Sequence, residues 1–395
     1  MAADVVVVGG GVIGAACAYV LSSRGASVTL VERSELAAGA SGRNHGLLFV
    51  PTEPELVAMA ARTVPLVREV AEATPLRVPF DDPPIGFLVV AADQDDVEDA
   101  RAEAQAARAG GVEVEHLPGH RLSEVEPALA ADLVEAWLLR DGRRLDPAAL
   151  TVALAAAARE RGAEVRTHLT VRALLAEGRR IVGVMTDHGP LSAGTVVLAA
   201  GPWTAALLRP LGIHLPIAGV RGWLVHLGPG PGSPRVIVER GGWHTLSGGG
   251  TFRAEAPPAP VLRAAEVAGG RLGPDVGTLL QPNPDGSVLL GGSLQAALSP
   301  EPEEPSVPRQ ILRRAIALAP RLAEHPVLGA WWGLRPSTPD VLPAVGELRP
   351  GLVVASGHGA KGVILSGGTA ELVAATVLGD PPPFDPSPFD PRRFG

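Results

Sequence analysis

The constraint that limits this chain most lies between Val5 and Glu32. Val5–Val8 is a run of valines flanked by Asp4 and Gly9, the pattern of a strand buried on both faces. Gly9-x-Gly11-x-x-Gly14 follows, and Val12–Ser23 then reads as a helix that stops at Arg24 and Gly25. Ser27–Glu32 (SVTLVE) is a second strand that closes on an acid. Each part has a mechanical task. The first glycine makes the tight turn, the second lets backbone approach a pyrophosphate, and the third lets the helix pack closely on the strand. The helix N-terminus points free N–H groups at the phosphates, and Glu32 stands where a carboxylate accepts hydrogen bonds from a ribose. GxGxxG alone is a weak signal. Between a strand and a helix, with the acid at this separation, it marks a dinucleotide site.

Bulk properties narrow the rest. A length of 395 residues corresponds to roughly two to three domains with chain enough for a large core. Hydrophobic content of 46% with 19% charged residues is that of a well-packed chain, not a disordered one. A formal net charge of -8 argues against nucleic acid as the main partner, because phosphate binding needs a basic face. With one cysteine, Cys17, no internal disulfide is possible, and a reducing cytoplasm is the expected location. No His, Asp or Glu spacing reads as a metal site. Val5–Ser23 is uncharged and long enough to imitate a membrane span. However, no basic residue precedes it and a glycine triplet interrupts it, so a soluble protein without an integral membrane segment is expected.

Helical patterns recur at Glu55–Ala73, Asp95–Ala109, Pro147–Arg161 and Arg309–Leu318, with strands at Ile85–Val90, Val165–Thr167, Ile181–Thr186 and Thr195–Leu198. From Arg221 to Gly292 glycine, proline and short apolar runs dominate, which predicts an antiparallel β-region inserted between α/β parts. The tail PPPFDPSPFDPRRFG predicts an extended proline-rich strap.

Three segments favour FAD over NAD. Gly39–Leu48 (GASGRNHGLL) is a small-residue loop suited to lie along a cofactor. Thr195–Trp203 (TVVLAAGPW) ends a buried strand in Ala-Gly, and Gly357–Gly362 (GHGAKG) opens a helix whose N-terminus favours the anionic edge of a reduced flavin. These motifs, with LDPAALTVALAAAARERGAEV, GLRPSTPDVLPAVG and GHGAKGVILSGGTAELV, span nearly the whole chain. Together they resemble the FAD-dependent D-amino-acid oxidase superfamily, in the branch with glycine oxidase, sarcosine oxidase and related amino-acid dehydrogenases. The resemblance implies an α/β fold: a discontinuous Rossmann-like FAD-binding domain (1–84, 143–220 and 330–380), an inserted, mainly antiparallel β substrate domain (85–142 and 221–329), and the strap (381–395).

The resemblance also implies roles. FAD would be held by Gly9, Gly11, Val12, Ile13, Gly14 and Glu32, with Arg33 beside the acid. The loop Ser41, Arg43, Asn44, His45 and Gly46 would follow its length. Val171, then Ala200, Gly201 and Trp203, and finally Gly357, Gly359, Ala360 and Gly362 would complete the set. In the GLRP motif the matching arginine, Arg335, holds a substrate carboxylate in glycine oxidase, and a planar fork suits bidentate recognition. Lys361 is the sole lysine among 34 basic residues. Compositional drift toward arginine would explain it, but the similar segment of sarcosine oxidase supplies a carboxylate-binding lysine, so Lys361 and Arg335 are expected to face a carboxylate together. His358 is a candidate base, or a residue that shapes the turn and packs on the flavin.

Two departures stand out. The relatives use an active-site tyrosine, yet Tyr19, the one tyrosine, lies in the first helix; that role is absent here or taken over by Trp223, Trp243, His244 or Trp332. Sarcosine oxidases also carry a separate oxygen-activating lysine, and a single lysine cannot fill both roles, which leans toward a dehydrogenase. Non-covalent FAD is expected, because Cys17 is in the first helix and His45 is offset by one from the tethering position. The expected reaction is hydride transfer from the Cα–H of a small amino or imino acid (glycine, sarcosine, proline-like or a D-amino acid) to flavin N5. Oxygen or an electron-accepting partner would then reoxidise the flavin. Two alternatives remain: a 2-hydroxy-acid dehydrogenase using His45, His244 or His358 as base, and the flavin subunit of a heteromeric proline or hydroxyproline dehydrogenase.

Overall fold

The computed structural model describes residues 3–92, 94, 96–239, 275–296 and 306–395. Two eight-stranded sheets organise them. The first runs Ala344–Arg349, Leu352–Ser356, Gly189–Leu198, Ala3–Val8, Val28–Val31, Glu164–Arg166. Its pairings are parallel from Leu352–Ser356 onward, and Ala344–Arg349 joins antiparallel. A hairpin, Val171–Glu177 and Arg180–Thr186, extends from Gly189–Leu198. The valine run is buried on both sides, as a parallel strand demands. Val5 and Val7 pack under the helices Val12–Ser23, Pro147–Glu160 and Ser366–Leu378, while Val6 and Val8 enter a second cluster with Leu208, Leu215 and Ile217. Asp146 caps Pro147–Glu160 by accepting the N–H groups of Ala148 and Ala149, and Pro147 occupies a position where no N–H is needed.

The second sheet runs Val327–Ser337, Ala218–Leu227, Val288–Ala296, Asp275–Pro282, Val236–Glu239, Phe87–Ala91, Glu135–Leu139, Val114–Pro118. Val236–Glu239 lies parallel to Phe87–Ala91, and the other described pairings are antiparallel. One face carries Leu88, Leu138, Val225, Ile237, Leu280 and Leu290 against the helix Ser306–Leu318. The opposite face looks into a cavity shared with the first sheet. The architecture is thus the α/β, Rossmann-like one with an antiparallel β insertion that the pattern predicts, although the later run of second-sheet strands begins at Ala218, slightly before the change in sequence texture.

Two expectations change. The helix expected over Glu55–Ala73 is split into Pro54–Ala60 and Thr63–Ala73. The reason lies far along the chain. The bare backbone of Gly367 and Gly368 packs against Arg62, Thr63 and Met59, and Thr63 Oγ1 donates to Ile364 O at 2.6 Å while accepting Gly367 N–H at 3.1 Å. The tail is not extended. It folds into 3₁₀ turns at Ser387–Phe389 and Pro391–Phe394, buries Phe389 and clamps Arg393 on Asp340 at 2.7 and 3.1 Å. No helix among the described residues is long and apolar enough to cross a membrane, and the uncharged N-terminal stretch resolves into a strand and a 12-residue helix.

Arginines fasten the second sheet to the segment around Asp81 and Asp82. Arg144 grips Asp81 through Nε (2.8 Å) and Nη2 (3.1 Å) and also donates to Pro282 O in the second sheet. Arg143 and Arg68 share Asp82.

Among the described glycines the closest approach to backbone is at Gly14, where a Cβ would overlap Gly9 O. Gly14→Ala is therefore expected to lower stability by about 1–3 kcal/mol through overpacking, with loss of bound FAD. Thermal denaturation and the flavin-to-protein absorbance ratio check this; full FAD content at unchanged Tm would contradict it.

Candidate active site

A cavity of about 900 Å³ runs from Glu32 and Arg33 at one end to Arg335 at the other. At the first end the Glu32 carboxylate is pinned by backbone. Oε2 accepts Gly10 N–H at 2.7 Å and Oε1 accepts Ser34 N–H at 2.9 Å. The Arg33 guanidinium lies 3.8 Å above the Trp203 ring, and Val171 lines the same end. The helix Val12–Ser23 begins at Gly11, which offers no side-chain cap; instead Val12 N–H donates to Ser41 Oγ at 2.9 Å. A Cβ added at Gly39 or Gly201 would meet nothing within 4 Å, so both border open space along the groove.

The loop after the second strand holds its shape through its own polar groups. Arg43 donates Nε–H to Ala38 O and Nη1–H to Trp332 O, each at 3.0 Å. Asn44 donates to Ala40 O at 2.8 Å and accepts Gly46 N–H at 2.7 Å. The loop that follows the cofactor groove is thereby fastened to a strand of the second sheet.

At the other end two glycines make seats. A Cβ at Gly222 would overlap the Arg335 guanidinium, and one at Gly291 would overlap His45 Nε2. Arg335 Nη1 donates to Ser293 O at 3.0 Å, and no carboxylate pairs with it among the described residues. Burial pulls its pKa down to about 10, so it stays cationic at neutral pH. An unpaired guanidinium inside a cavity is a site prepared for an anion. His45 meets Gln281 Oε1 through Nδ1 at 3.1 Å, while its buried Nε2 has no partner among the described residues. Burial, with Arg335 adding to it, lowers its pKa to about 3 and keeps the ring neutral.

Lys361 lies in this cavity too, but its ammonium is committed. Nζ sits 2.6 Å from Glu53 Oε1, and the two side chains are only 16% and 14% exposed. His358 is 3% exposed and places Nε2 2.9 Å from Thr369 Oγ1; burial drives its pKa to about 3. Ala360 and Gly362 line the cavity, as does Gly359, and Gly357 abuts Thr338. Tyr19 is far away in the core, donating to Glu69 Oε1 at 2.8 Å. Of the proposed replacements Trp332 lines the cavity and Trp223 packs toward the opposite cluster; Trp243 and His244 lie outside the described residues. Cys17 is buried, its thiol pushed up to about 12, and cannot serve as a flavin tether.

Residues 4–376 match the family model for FAD dependent oxidoreductases. The chain belongs to that family. It is 27% identical over 396 residues to the glycine oxidase of Pseudomonas aeruginosa, covering 98% of this chain and 97% of that one. It is also 27% identical over 387 residues to the bifunctional protein ThiO/ThiG of a Nostoc species, covering 96% of this chain but 53% of that protein, so it spans about half the length of such relatives. The crystal structure of glycine oxidase from Geobacillus kaustophilus superposes with a TM-score of 0.84 at 26% identity over 98% of each chain. L-proline dehydrogenase from P. horikoshii shares the fold, with a TM-score of 0.83 at 21% identity over 100% of this chain and 98% of the other.

FAD is the cofactor of this family, and the groove fits it. The pinned acid, the helix start lacking a side-chain cap and the glycines bordering open space are what a dinucleotide needs. The sequence pattern missed Glu53, Gln281 and the seats at Gly222 and Gly291. The glycines carried a signal, since isolated glycines within strands mark close approach. Glu53 carried none.

His45 and His358 each bind a proton in the unfolded chain below the reference value of 6.5 but stay neutral in the fold down to about 3. Stability should therefore fall as pH drops from 6.5 toward 4, by about 1.4 kcal/mol per pH unit for each ring. Chemical denaturation across this range tests it. His358→Asn should flatten the dependence by one ring's share, and an unaltered slope would contradict the assignment.

Proposed function

We propose that this protein oxidises the C–N bond of a small amino or imino acid, with residues 1–84, 143–220 and 330–380 holding FAD and 85–142 with 221–329 forming most of the substrate chamber. The observation that carries this reading is the unpaired Arg335 guanidinium facing the cavity of an FAD-family fold. A fork-shaped cation fixes a carboxylate in two directions, which orients the adjacent Cα. When bound, FAD supplies acceptance of the hydride released by that carbon, and the resulting imine hydrolyses in water. The protein's work is orientation, charge and exclusion of water.

Lys361 and Arg335 were expected to share the carboxylate. The Glu53 pair cancels the lysine charge locally, so we assign carboxylate binding to Arg335 and a supporting role in the cavity wall to Lys361. His358 is assigned to holding the turn through Thr369 rather than to proton transfer.

A 2-hydroxy-acid reading is favoured by one observation, the free Nε2 of His45, which could accept a hydroxyl proton. A pKa of about 3 makes that ring a weak base, whereas a neutral amine has less need of one. The amine reading is stronger for that reason. The electron acceptor, oxygen or a protein partner in a reducing cytoplasm, is part of the test.

Anaerobic mixing of the flavoprotein with amino, N-methyl and hydroxy acids should bleach the flavin with an amine and not with its hydroxy counterpart. Admitting air then reads the oxygen reaction. Bleaching by hydroxy acids alone would overturn the proposal. Arg335→Met should raise KM roughly 30-fold or more, since truncating one partner of a buried charge pair costs about 2–5 kcal/mol. Lys361→Met should raise it only a few-fold. Equal effects would restore a shared role.

A further inference from the structure

We propose that the substrate carries an apolar side chain, seated along an aliphatic row of the second sheet; this rests on the amino-acid reading above. The row is visible in the strand register. Leu224 stands opposite Gly291, Gly291 opposite Leu279, Leu279 opposite Val238, and Val238 opposite Val89. Leu224, Leu279, Val238 and Val89 all line the cavity, so this is one continuous band across five strands. Phe87, two residues before Val89, lines the same cavity and packs 6.3 Å from the ring of Phe49.

The band starts beside the carboxylate anchor. Gly222, the seat of Arg335, is two residues from Leu224 on one strand, a separation of about 7 Å, and each further strand adds about 4.8 Å. A carboxylate held by Arg335 therefore leaves a substituent on its neighbouring carbon within reach of Leu224 and Leu279. The one gap in the row, Gly291, is filled by His45, whose ring is neutral and anchored to Gln281.

Charge discriminates as strongly as shape. In this reading Arg335 is committed to the substrate carboxylate and Lys361 to Glu53, while Arg43 is held by the carbonyls of Ala38 and Trp332 and Arg33 lies over Trp203 at the far end, so the row itself offers an acidic side chain no cation. Burying a charged group without a partner is costly, whereas each buried methylene improves binding about fourfold. Glycine and sarcosine would leave the row uncovered.

The holoenzyme tests this with two series. In anaerobic flavin reduction, both enantiomers of alanine, norvaline, leucine and phenylalanine are compared with glycine, sarcosine, proline, glutamate and lysine. The reduction rate constant divided by Kd should rise about fourfold or more per methylene from alanine to norvaline in the reacting enantiomer, with glutamate and lysine far below. Glycine or sarcosine as the best substrate, or a charged side chain preferred, would overturn the inference while leaving the amino-acid reading intact.

The second series needs no turnover. Acetate, propionate, valerate and 4-methylvalerate are titrated while the flavin absorbance is followed. Tightening with chain length supports the apolar seat even if no amine is oxidised, which would sink only the catalytic reading; a flat series overturns the seat. Leu279→Asn with FAD content retained should remove most of the chain-length dependence, and an undiminished dependence would also overturn it.

Discussion

Everything in this molecule depends on how closely two backbones meet at the first turn. The helix Val12–Ser23 can settle on the valine strand because Gly14 presents no Cβ to Gly9 O, and Gly9 in turn lies against Ala199 O of the neighbouring strand. Any side chain at these points would push the helix outward. Three consequences follow from this contact. The helix N-terminus is aimed into the groove, Glu32 is brought under Gly10 N–H, and the Ala199–Trp203 turn is held at the groove's rim. The cofactor end is therefore a product of backbone packing, with side chains adding only the finish.

The opposite end works by the same device with another purpose. Gly222 and Gly291 are vacancies in a sheet face, and each is filled by a cavity-lining side chain from elsewhere in the chain. This seats Arg335 and His45 in the wall of the cavity without opening the sheet. The electrostatic result is a site whose net positive charge is concentrated on one guanidinium. The Lys361–Glu53 pair contributes almost no net field, because a close pair in a low-dielectric region appears neutral to anything beyond it. His45 contributes a dipole and no charge.

Legibility in the sequence followed the range of the physics involved. The helix Val12–Ser23 has the bounds its pattern predicts, and Pro147–Glu160 ends one residue short, because caps, periodicity and glycine stops act within a few residues. Most of the residues expected at the cofactor line the cavity, and they were readable for the same reason, being clustered in short motifs. The break between Pro54–Ala60 and Thr63–Ala73 was not, since it is imposed by Gly367 and Gly368 across the fold. Lys361 attracted attention from the sequence, but its partner is 308 positions away and nothing local to Glu53 announces the pair. The aliphatic row was equally hidden, as it exists only once five strands from distant segments are placed in register.

The chain's near-total preference for arginine has a chemical corollary. Guanidinium groups resist the reagents that acylate primary amines, so the surface of this protein carries almost nothing for such reagents to attack. The single side-chain amine in 395 residues is folded inward, 16% exposed and held at 2.6 Å from a carboxylate in the wall of the cavity. An amine-selective label that enters Lys361 therefore reports from the interior of the site, free of the background that surface lysines create in other proteins.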